Sequence, residues 1–372
     1  MAPMKMTAAV TCGAGGKVEI REIDTPGAKL GPTEALVKVV AAASNPTDWK
    51  SVTFVPTTGN VVGCDFAGII EELGSEIPLD SHKVGDRVAG IVHGAAYPNG
   101  AFAEYVVTPA ALLLPLPDSW SFEQAAQLGI AGYTACLALY YAQSLPSPIH
   151  PAEEPIDILV WGGSSSVGQY VVQLAHLSGL RVIATSSPRN FPLLQSLGAD
   201  LVFSYADPEV PEQIRGATSG KLAHAVDCIS EGETPSQVIQ AMGDQGGVLT
   251  TLLPYKSSRL NVETNLILGY HLLGKDTEIP IQMPLDIAQY EFGPQATEIL
   301  TTVLSNGKLK PGPIKVMPKG LESANDGLDY MREGKVSGEK IIYRIADTPV
   351  QKEQQKSQIF EWVMWLFRIF NY

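Results

Sequence analysis

Two patterns of apolar and polar residues divide the chain. Up to about residue 120, short alternating or β-rich runs are separated by Gly, Pro and Asp turns. They are KVEIREI (17–23), EALVKVVAAA (34–43), GNVVGCDFAGIIEEL (59–73), DRVAGIV (86–92) and AFAEYVV (101–107). Runs of this kind predict strands, so we expect the first part to be mostly β.

The pattern changes at Ser121. The stretch SFEQAAQLGIAGYTACLALYYAQ (121–143) predicts a helix, which Ser121 caps with Gln124 in capping-box register. Strand-like and helical runs then alternate. The strands are IDILV (156–160), LRVIATSS (180–187), ADLVFSY (199–205), HAVDCIS (224–230) and GGVLTTLL (246–253). This rhythm predicts an α/β unit with a doubly wound parallel sheet.

The final part of the sequence before the tail returns to strands. GPIKVMPKG (312–320) and GEKIIYRI (338–345) flank a short helix around 324–334, and we expect them to close the first domain. The α/β unit is therefore inserted into the β domain. The predicted boundaries are 1–125 and 301–348 for the β domain, 126–300 for the α/β domain, and 349–372 for a polar linker with an amphipathic tail.

The tail allows two interpretations. Its apolar end, residues 359–372, is too short to cross a bilayer. Trp362, Trp365, Leu366, Ile369 and Phe370 would share one helical face. The helix either packs on its own protein, or forms an interfacial anchor or a docking helix for a partner.

Charge and cysteine content exclude several classes of protein. With 26 basic and 39 acidic residues, the net charge of -13 argues against nucleic-acid binding. Four widely spaced cysteines suggest neither a metal knuckle nor a disulfide scaffold. The N-terminus has no secretory pattern, and no apolar run has membrane-spanning length. We therefore expect a cytoplasmic protein.

The stretch WGGSSSVGQ (161–169) lies between a predicted strand and a predicted helix. Gly162 and Gly163 would supply a tight turn, and Gly168 would let the helix pack close to the sheet. The small residues 164–166 add hydroxyls that can donate to phosphate oxygens. The pattern predicts a dinucleotide pyrophosphate at the helix N-terminus, although a plain strand-to-helix turn would look similar.

The end of the second strand of this unit indicates which cofactor is bound. It reads VIATSSPRN (182–190) and has no acid to accept the ribose hydroxyls of NAD. Arg189 can pair with a 2′-phosphate, which favours NADPH over NADH. An ordinary solvated arginine is the alternative. Tyr205, one strand later, would stack on adenine or pack at the sheet edge.

Several motifs together resemble those of the medium-chain dehydrogenase/reductase superfamily over residues 5–345. They are NPTDWK (45–50), GCDFAGIIEELG (63–74), KVGDRV (83–88), GAFAEY (100–105), the serine-rich loop, LGAD (197–200), AVDC (225–228) and GGVLTTL (246–252). The resemblance implies a GroES-like β domain with an inserted Rossmann domain. Asn45 and Cys64 stand where the zinc branch has its first two catalytic ligands, so the resemblance is to the zinc-free branch, and we expect no metal.

Within that branch, NPTDWK, AGYTACLALY, GGSSSVG and SPRN resemble the fungal trans-acting enoyl reductases. The resemblance implies that NADPH reduces an α,β-unsaturated thioester on the acyl carrier protein of a polyketide synthase or its peptide-synthetase hybrid, and that the enzyme is a monomer. Trp49 stands where quinone-reductase relatives often have a tyrosine, so no phenol acid is available there. The proton must come from another donor, and water is one alternative.

The resemblance also implies site residues. The catalytic candidates are Lys50 and Thr134, for the developing enolate or for the cofactor. The cofactor candidates are Thr47, Asp48, Trp49, Lys50, Gly162, Gly163, Ser164, Ser165, Ser166, Val167, Ser187, Pro188, Arg189, Asn190, Tyr205, Leu252, Leu253, Val336 and Ser337. The substrate candidates are Thr134, Ala135, Cys136, Leu137, Ala138, Leu139, Tyr140, Tyr141, Leu273, Gly274, Lys275, Asp276 and Thr277.

Each assignment has a structural alternative. Lys50 would be a solvated lysine after a turn, Thr134 would bond the carbonyl four residues earlier in its helix, and the apolar candidates would be core. For the whole chain, the alternatives are a stand-alone quinone or small-enone reductase, and a regulatory protein that binds NADPH without catalysis.

Overall fold

A computed structural model describes residues 2–13, 15–26, 30–78, 80–277 and 282–349. The chain begins with a small antiparallel sheet. Strand β1 (Lys5–Cys12) pairs with β2 (Val18–Asp24) on one side and with β4 (Thr58–Val61) on the other. Ala8 also bridges Ala103, which ties this sheet to the rest of the β domain.

A larger mixed sheet forms the body of the β domain. Its strands are β3 (Glu34–Ala43), β5 (Asp65–Leu73), β6 (Arg87–Ile91), β7 (Tyr105–Pro109), β8 (Leu114–Pro115), β15 (Ile314–Met317) and β16 (Lys340–Arg344). The order is β15-β16-β3-β5-β6-β8, and β7 also pairs with β3. Strand β16 runs antiparallel to β3, with Ile342 opposite Ala43. Strands β15 and β16, which follow the α/β unit in sequence, therefore extend the sheet formed by β3 and the strands after it.

The run 59–73, expected as one strand, forms two. Gly63 separates β4 from β5 at φ +94°, and a Cβ built on it would lie 2.2 Å from the ring of Phe102. Only glycine fits this left-handed, crowded position. The turn carries Cys64 and Asp65 into the interior, where both are buried.

The sequence patterns did not predict helix α1 (Pro46–Phe54). Its start signals are Pro46 in the first turn and the pairing of Asn45 with Asp48, whose Oδ2 accepts the Asn45 N–H at 2.6 Å. The helix carries Thr47, Asp48, Trp49 and Lys50, so these residues do not follow a turn in extended chain.

The helical stretch 121–143 is interrupted. Helix α2 (Phe122–Ala125) has the expected Ser121 cap, with Gln124 completing the capping box. A new helix, α3 (Gly129–Cys136), then begins and continues as a π-helical turn over Leu137–Tyr141. Asp65 Oδ1, at the start of β5, accepts the Ile130 N–H at 2.6 Å and so caps the N-terminus of α3. This tertiary contact explains why a new helix begins here.

The inserted unit is a six-stranded parallel sheet in the part of the chain that the structure describes. Its strands are β9 (Asp157–Trp161), β10 (Arg181–Ser186), β11 (Leu201–Ser204), β12 (His224–Asp227), β13 (Gly247–Thr251) and β14 (Val262–Leu266), in the order β11-β10-β9-β12-β13-β14. This order confirms the Rossmann fold. It places the switch in strand order between β9 and β12, where such sheets bind ligands at the carboxyl ends of their strands.

Helices cover the sheet and connect it to the β domain. They are α4 (Ser166–Leu177), α5 (Phe191–Ser196), α6 (Val210–Ala217), α7 (Thr234–Ala241), α8 (Ile287–Glu291) and α9 (Gly293–Ser305). Helix α10 (Ala324–Arg332) belongs to the β domain, where it packs against α1. One buried cluster runs through both domains by way of α3. The domain boundaries at 125/126 and 300/301 stay predictions, and the predicted tail helix lies outside the described residues.

Candidate active site

The serine-rich loop forms a compact turn between β9 and α4. Gly162 has φ +72°. Its N–H donates to Thr185 Oγ1 at 3.0 Å, which anchors the turn to β10. Ser165 is the N-cap of α4 and accepts the Gly168 N–H at 3.0 Å, and its hydroxyl proton can still be donated. The N–H groups of Ser166 and Val167, in the first helical turn, have no partner within the helix, so they suit an anion.

Gly168 allows α4 to sit directly on this turn. A Cβ built on it would lie 2.4 Å from the Gly162 carbonyl oxygen and 2.7 Å from the Gly163 Cα. Both atoms are backbone and cannot rotate away. The helix N-terminus is therefore as close to the strand end as the fold allows, and the loop fits a pyrophosphate without side-chain obstruction.

The end of β10 presents neutral and basic groups. Ser187 is half-buried and Arg189 is exposed, on a 3₁₀ turn at Pro188–Asn190. Asn190 Nδ2 donates to Ser187 Oγ at 3.3 Å and to Ser337 Oγ at 3.1 Å. The structure therefore brings the 187–190 and 336–337 candidates together from distant parts of the sequence.

Three other cofactor candidates lie at the same edge of the sheet. Tyr205, 49% exposed, follows β11 and donates its N–H to the Ser186 carbonyl at 3.3 Å. Leu252 and Leu253 follow β13 and are half-buried. The Leu252 N–H donates to Ser230 Oγ at 2.9 Å. This bond joins the loop that follows β12 to the loop that follows β13.

Lys50 connects the two domains. Its Nζ forms an ion pair with Glu231, which lies after β12 in the Rossmann domain. The ammonium is also 5.7 Å from the centroid of the Trp49 ring. The lysine is thus held at the cleft and is not a freely solvated surface residue.

Thr134 is buried in α3 and faces the segment Gly269–Leu273. A Cβ on Gly269 would lie 3.0 Å from Thr134 Oγ1. Within the described residues the Thr134 hydroxyl has no hydrogen-bond partner, in contrast to Thr218, which bonds the Ile214 carbonyl at 2.9 Å. The helix back-bond considered for Thr134 is not seen.

The substrate candidates fall into two groups. Ala135, Cys136, Leu137, Ala138 and Leu139 are fully buried in the main core, and Tyr140 bonds Ser178 at 3.0 Å inside it. Tyr141 lies at the edge of that core, and Thr277 is buried. Their role towards substrate stays a prediction.

The second group surrounds a cavity of about 680 Å³ between the two domains. Leu273, Gly274 and Lys275 line it from the Rossmann side, and Val92 and His93 from the β domain. Asp276, the next residue, accepts the Leu285 N–H at 2.8 Å. The volume is that of a typical small-molecule site.

A buried polar cluster beside this cavity was not found from sequence. The Cys64 thiol donates to Asp48 Oδ1 at 3.2 Å, and its sulfur lies 2.8 Å from the Tyr270 hydroxyl. The Tyr270 hydroxyl donates to Thr47 Oγ1 at 3.1 Å. Burial raises the pKa of Asp48 to about 7, against the smaller opposing effect of the Asn45 N–H. Burial also raises the pKa values of Cys64 and Tyr270.

A buried ion pair lies next to this cluster. Lys340 Nζ is 3.0 Å from Asp65 Oδ2 and donates to Asn45 Oδ1 at 2.6 Å, and Asn45 Nδ2 donates to the same Asp65 oxygen at 2.8 Å. The polar groups of Asn45 and Asp65 are therefore satisfied by each other and by Lys340. All four cysteines are unpaired. Over the described ranges, no group of three or more potential ligands is arranged to hold a metal ion.

Comparisons with known proteins agree with this architecture. The family model described as "Alcohol dehydrogenase GroES-like domain" matches residues 31–118, and the one described as "Zinc-binding dehydrogenase" matches residues 166–274. The chain is 40% identical to trans-enoyl reductase ACTTS2 of Alternaria alternata over 336 residues, which are 89% of this chain and 96% of that one. It is 38% identical to trans-enoyl reductase traG of Penicillium crustosum, over 92% of this chain and 98% of that one.

Two solved structures share the fold at low identity. An alcohol dehydrogenase superfamily protein of Novosphingobium aromaticivorans has a TM-score of 0.75 at 21% identity and covers 91% of this chain and 99% of its own. The CurK enoyl reductase has a TM-score of 0.72 at 20% identity, with coverage of 91% and 99%. No helix in the described residues is long and apolar enough to cross a membrane.

Proposed function

Because the chain belongs to the medium-chain dehydrogenase/reductase superfamily and to its trans-enoyl reductase family, we propose that it uses NADPH to reduce an α,β-unsaturated polyketide thioester held on an acyl carrier protein. The chain is an oxidoreductase that acts on C=C bonds and binds a nicotinamide cofactor. The observation that carries the proposal is the 40% identity to a trans-enoyl reductase across 96% of that relative's length.

The residues at the end of β10 support the choice of NADPH over NADH. Residues 187–190 carry one guanidinium and no acid. Arg189 is exposed beside the half-buried Ser187, so both are open to a ligand at this edge. A 2′-phosphate would gain charge-assisted hydrogen bonds there, whereas the unphosphorylated ribose would find no carboxylate.

Lys50 and Thr134 are the proposed groups for charge stabilisation. A nicotinamide bound at the strand-order switch supplies a hydride. Addition of that hydride to the β-carbon develops negative charge on the thioester oxygen, and donors fixed beforehand at this oxygen lower the barrier. Lys50 is held at the cleft by Glu231, and the Thr134 hydroxyl is free of other partners among the described residues. Both features suit preorganised donors.

The cavity between the domains is the proposed site of the acyl chain. Leu272 and Leu273 give the cavity an apolar wall. Gly274 also lines it and has no side chain to take up space in it. The relatives' name suggests a partner synthase, and we propose that its carrier domain presents the substrate to a monomeric enzyme in the cytoplasm.

The proposed function is tested by NADPH oxidation with enoyl-pantetheine thioesters of increasing acyl length, compared with soluble quinones and small enones. We expect turnover of the thioesters, further increased by a carrier-bound substrate. Preference for quinones would identify the stand-alone reductase instead. Binding of NADPH without oxidation by any of these substrates would favour a regulatory protein.

The role of Lys50 has its own test. Lys50→Ala should lower kcat at least about tenfold with little change in the Kd of NADPH, because the lost donor acts mainly in the transition state. Glu231→Gln is the companion variant. It keeps the lysine but removes the negative charge of Glu231, so we expect a smaller decrease in kcat than in Lys50→Ala. An unchanged kcat in Lys50→Ala would remove the lysine from the mechanism.

A further inference from the structure

Four side chains form a continuous line of hydrogen bonds from the interior to the cleft. Asp48 Oδ1 and Cys64 Sγ are 3.2 Å apart, Cys64 Sγ and the Tyr270 hydroxyl are 2.8 Å apart, and the Tyr270 hydroxyl and Thr47 Oγ1 are 3.1 Å apart. These side chains come from α1, the start of β5 and the segment Gly269–Leu273. Each group can accept a proton on one side and pass one on at the other.

Burial gives this line a single exit. Asp48, Cys64 and Tyr270 are 2%, 1% and 4% exposed, whereas Thr47 is half-buried. The Tyr270 ring also lines the cavity and stacks on His93 with a centroid distance of 3.9 Å. Thr47 lies on α1 three residues before Lys50, which pairs with Glu231 across the cleft, so its hydroxyl is the end of the line on the cleft side.

The surroundings of Asp48 allow it to hold a proton at neutral pH. The charged and titratable groups that face it are Cys64, Asp65 of β5, Tyr270, and Lys340 and Tyr343 of β16. Lys340 is already paired with Asp65. Burial dominates and raises the pKa of Asp48 to about 7, so both protonation states are populated near neutrality.

Building on the proposed function, we propose that Asp48, Cys64, Tyr270 and Thr47 are a proton relay that supplies the α-carbon of the substrate. Reduction of an enoyl thioester needs a proton at that carbon after the hydride has reached the β-carbon. The relay fills the place of the donor that Trp49 does not provide.

The transfer balances as a concerted shift. The Thr47 hydroxyl proton forms the new C–H bond at the α-carbon, and Thr47 receives the Tyr270 proton. Tyr270 receives the Cys64 thiol proton, and Cys64 receives the carboxyl proton of Asp48. The thiol donates to Oδ1 of the ionised Asp48, whereas the protonated Oδ1 donates to the sulfur and leaves the thiol proton for Tyr270. The enolate becomes the saturated thioester, and its negative charge ends on Asp48. One proton from solvent enters at Thr47 before the next turnover, and the reverse shift along the line returns a proton to Asp48.

Tyr270→Phe and Thr47→Val test the relay in full-length enzyme with NADPH and an enoyl-pantetheine thioester in D₂O. In wild type we expect deuterium on one face of the α-carbon only. Each variant should lower kcat about 100-fold, within the range for a lost general acid, and should place deuterium on both faces as water replaces the donor. Thr47→Ser keeps the hydroxyl and should restore single-face deuteration.

Tyr133→Phe is the matched control. It also removes a buried tyrosine hydroxyl, which lies 2.9 Å from Thr297 Oγ1 and outside the relay. Its kcat and deuteration should equal those of wild type. Wild-type kcat and single-face deuteration in Tyr270→Phe would overturn the relay alone. If the wild-type enzyme does not oxidise NADPH with any of the enoyl thioesters, the proposed function itself fails.

Infrared spectroscopy tests the relay without turnover. The carboxyl band of protonated Asp48, identified by its absence in Asp48→Asn, should be lost with a midpoint near pH 7. The band should shift in frequency in Cys64→Ala, because the thiol is its hydrogen-bond partner. A carboxyl band already lost by pH 5, or unaffected by Cys64→Ala, would contradict the relay.

Discussion

Lys340 and Asp65 form an ion pair in the interior, 3.0 Å apart and 275 residues apart in sequence. Asp65 also caps α3 through the Ile130 N–H at 2.6 Å, and Asn45 bridges both charges. The pair therefore joins β16, β5 and helix α3, which leads into the Rossmann domain. The ion pair lies next to the buried end of the proposed proton relay.

Lys340→Met should destabilise the protein by about 3–5 kcal/mol, because it leaves the buried Asp65 carboxylate without its counter-charge. Urea unfolding followed by circular dichroism measures the change. Lys335→Met is the control, since Lys335 pairs with Glu333 at the surface, where side chains are 58% and 53% exposed. That loss should be far smaller than the loss in Lys340→Met, because solvent screens an exposed pair. Equal effects would show that the buried pair is not structurally important.

The pH dependence of stability should identify Asp48. Its folded-state pKa of about 7 lies above the ordinary value of 3.8. Its stabilising contribution is therefore complete below about pH 4 and is lost as the pH rises through 7. Asp48→Asn resembles the neutral acid, and its amide can donate to Cys64.

The measurement is the melting temperature of wild type and Asp48→Asn from pH 4 to 8. Wild type should lose stability relative to the variant with rising pH, by at most about 1.4 kcal/mol per pH unit. A difference between the two proteins that does not change with pH would mean that Asp48 is ionised throughout.

Gly168→Ala should weaken NADPH binding about tenfold or more and lower the melting temperature. The new methyl group would meet the Gly162 carbonyl oxygen at 2.4 Å, so α4 must move away from the turn. Calorimetric titration and thermal melting measure the two effects. Gly216→Ala, within α6, is the control because its Cβ would meet nothing within 4 Å. It should leave binding unchanged and stabilise the helix by up to about 1 kcal/mol.

Arg189→Ala should raise the Kd of NADPH about 10–100-fold, as expected for the loss of hydrogen bonds to a charged phosphate. The Kd of NADH should change little, because its ribose has no phosphate for the arginine to bind. Arg21→Ala removes an exposed arginine of β2 that pairs with Glu19, and it should alter neither constant. Equal losses for both cofactors in Arg189→Ala would place the arginine elsewhere than at the 2′-phosphate.

Local patterns predicted most of the fold. The βαβ rhythm gave the five strands from β9 to β13 and the turn at 162–168, since these depend on nearest-neighbour apolar spacing and glycine positions. Helix α1 was missed because nine residues contain too few turns for a clear apolar stripe. Only its start signals, Asn45, Pro46 and Asp48, could have revealed it.

The parts of the site that depend on tertiary contacts could not be predicted. Tyr270 reaches Cys64 across 206 residues, and Lys50 reaches Glu231 across 181. No spacing rule connects such positions in one sequence. The break before α3 was missed for the same reason, because its cap comes from Asp65.

The most direct test of the central claim follows deuterium from the cofactor to the product. NADPH deuterated at C4, as the 4R and the 4S form in separate reactions, is incubated with the enzyme and an enoyl-pantetheine thioester, and the product is examined by mass spectrometry and NMR. We expect one of the two forms to place deuterium on the β-carbon, with equally deuterated NADH transferring far less. Absence of deuterium from the β-carbon with both forms, or equal transfer from NADH, would contradict the proposed reaction.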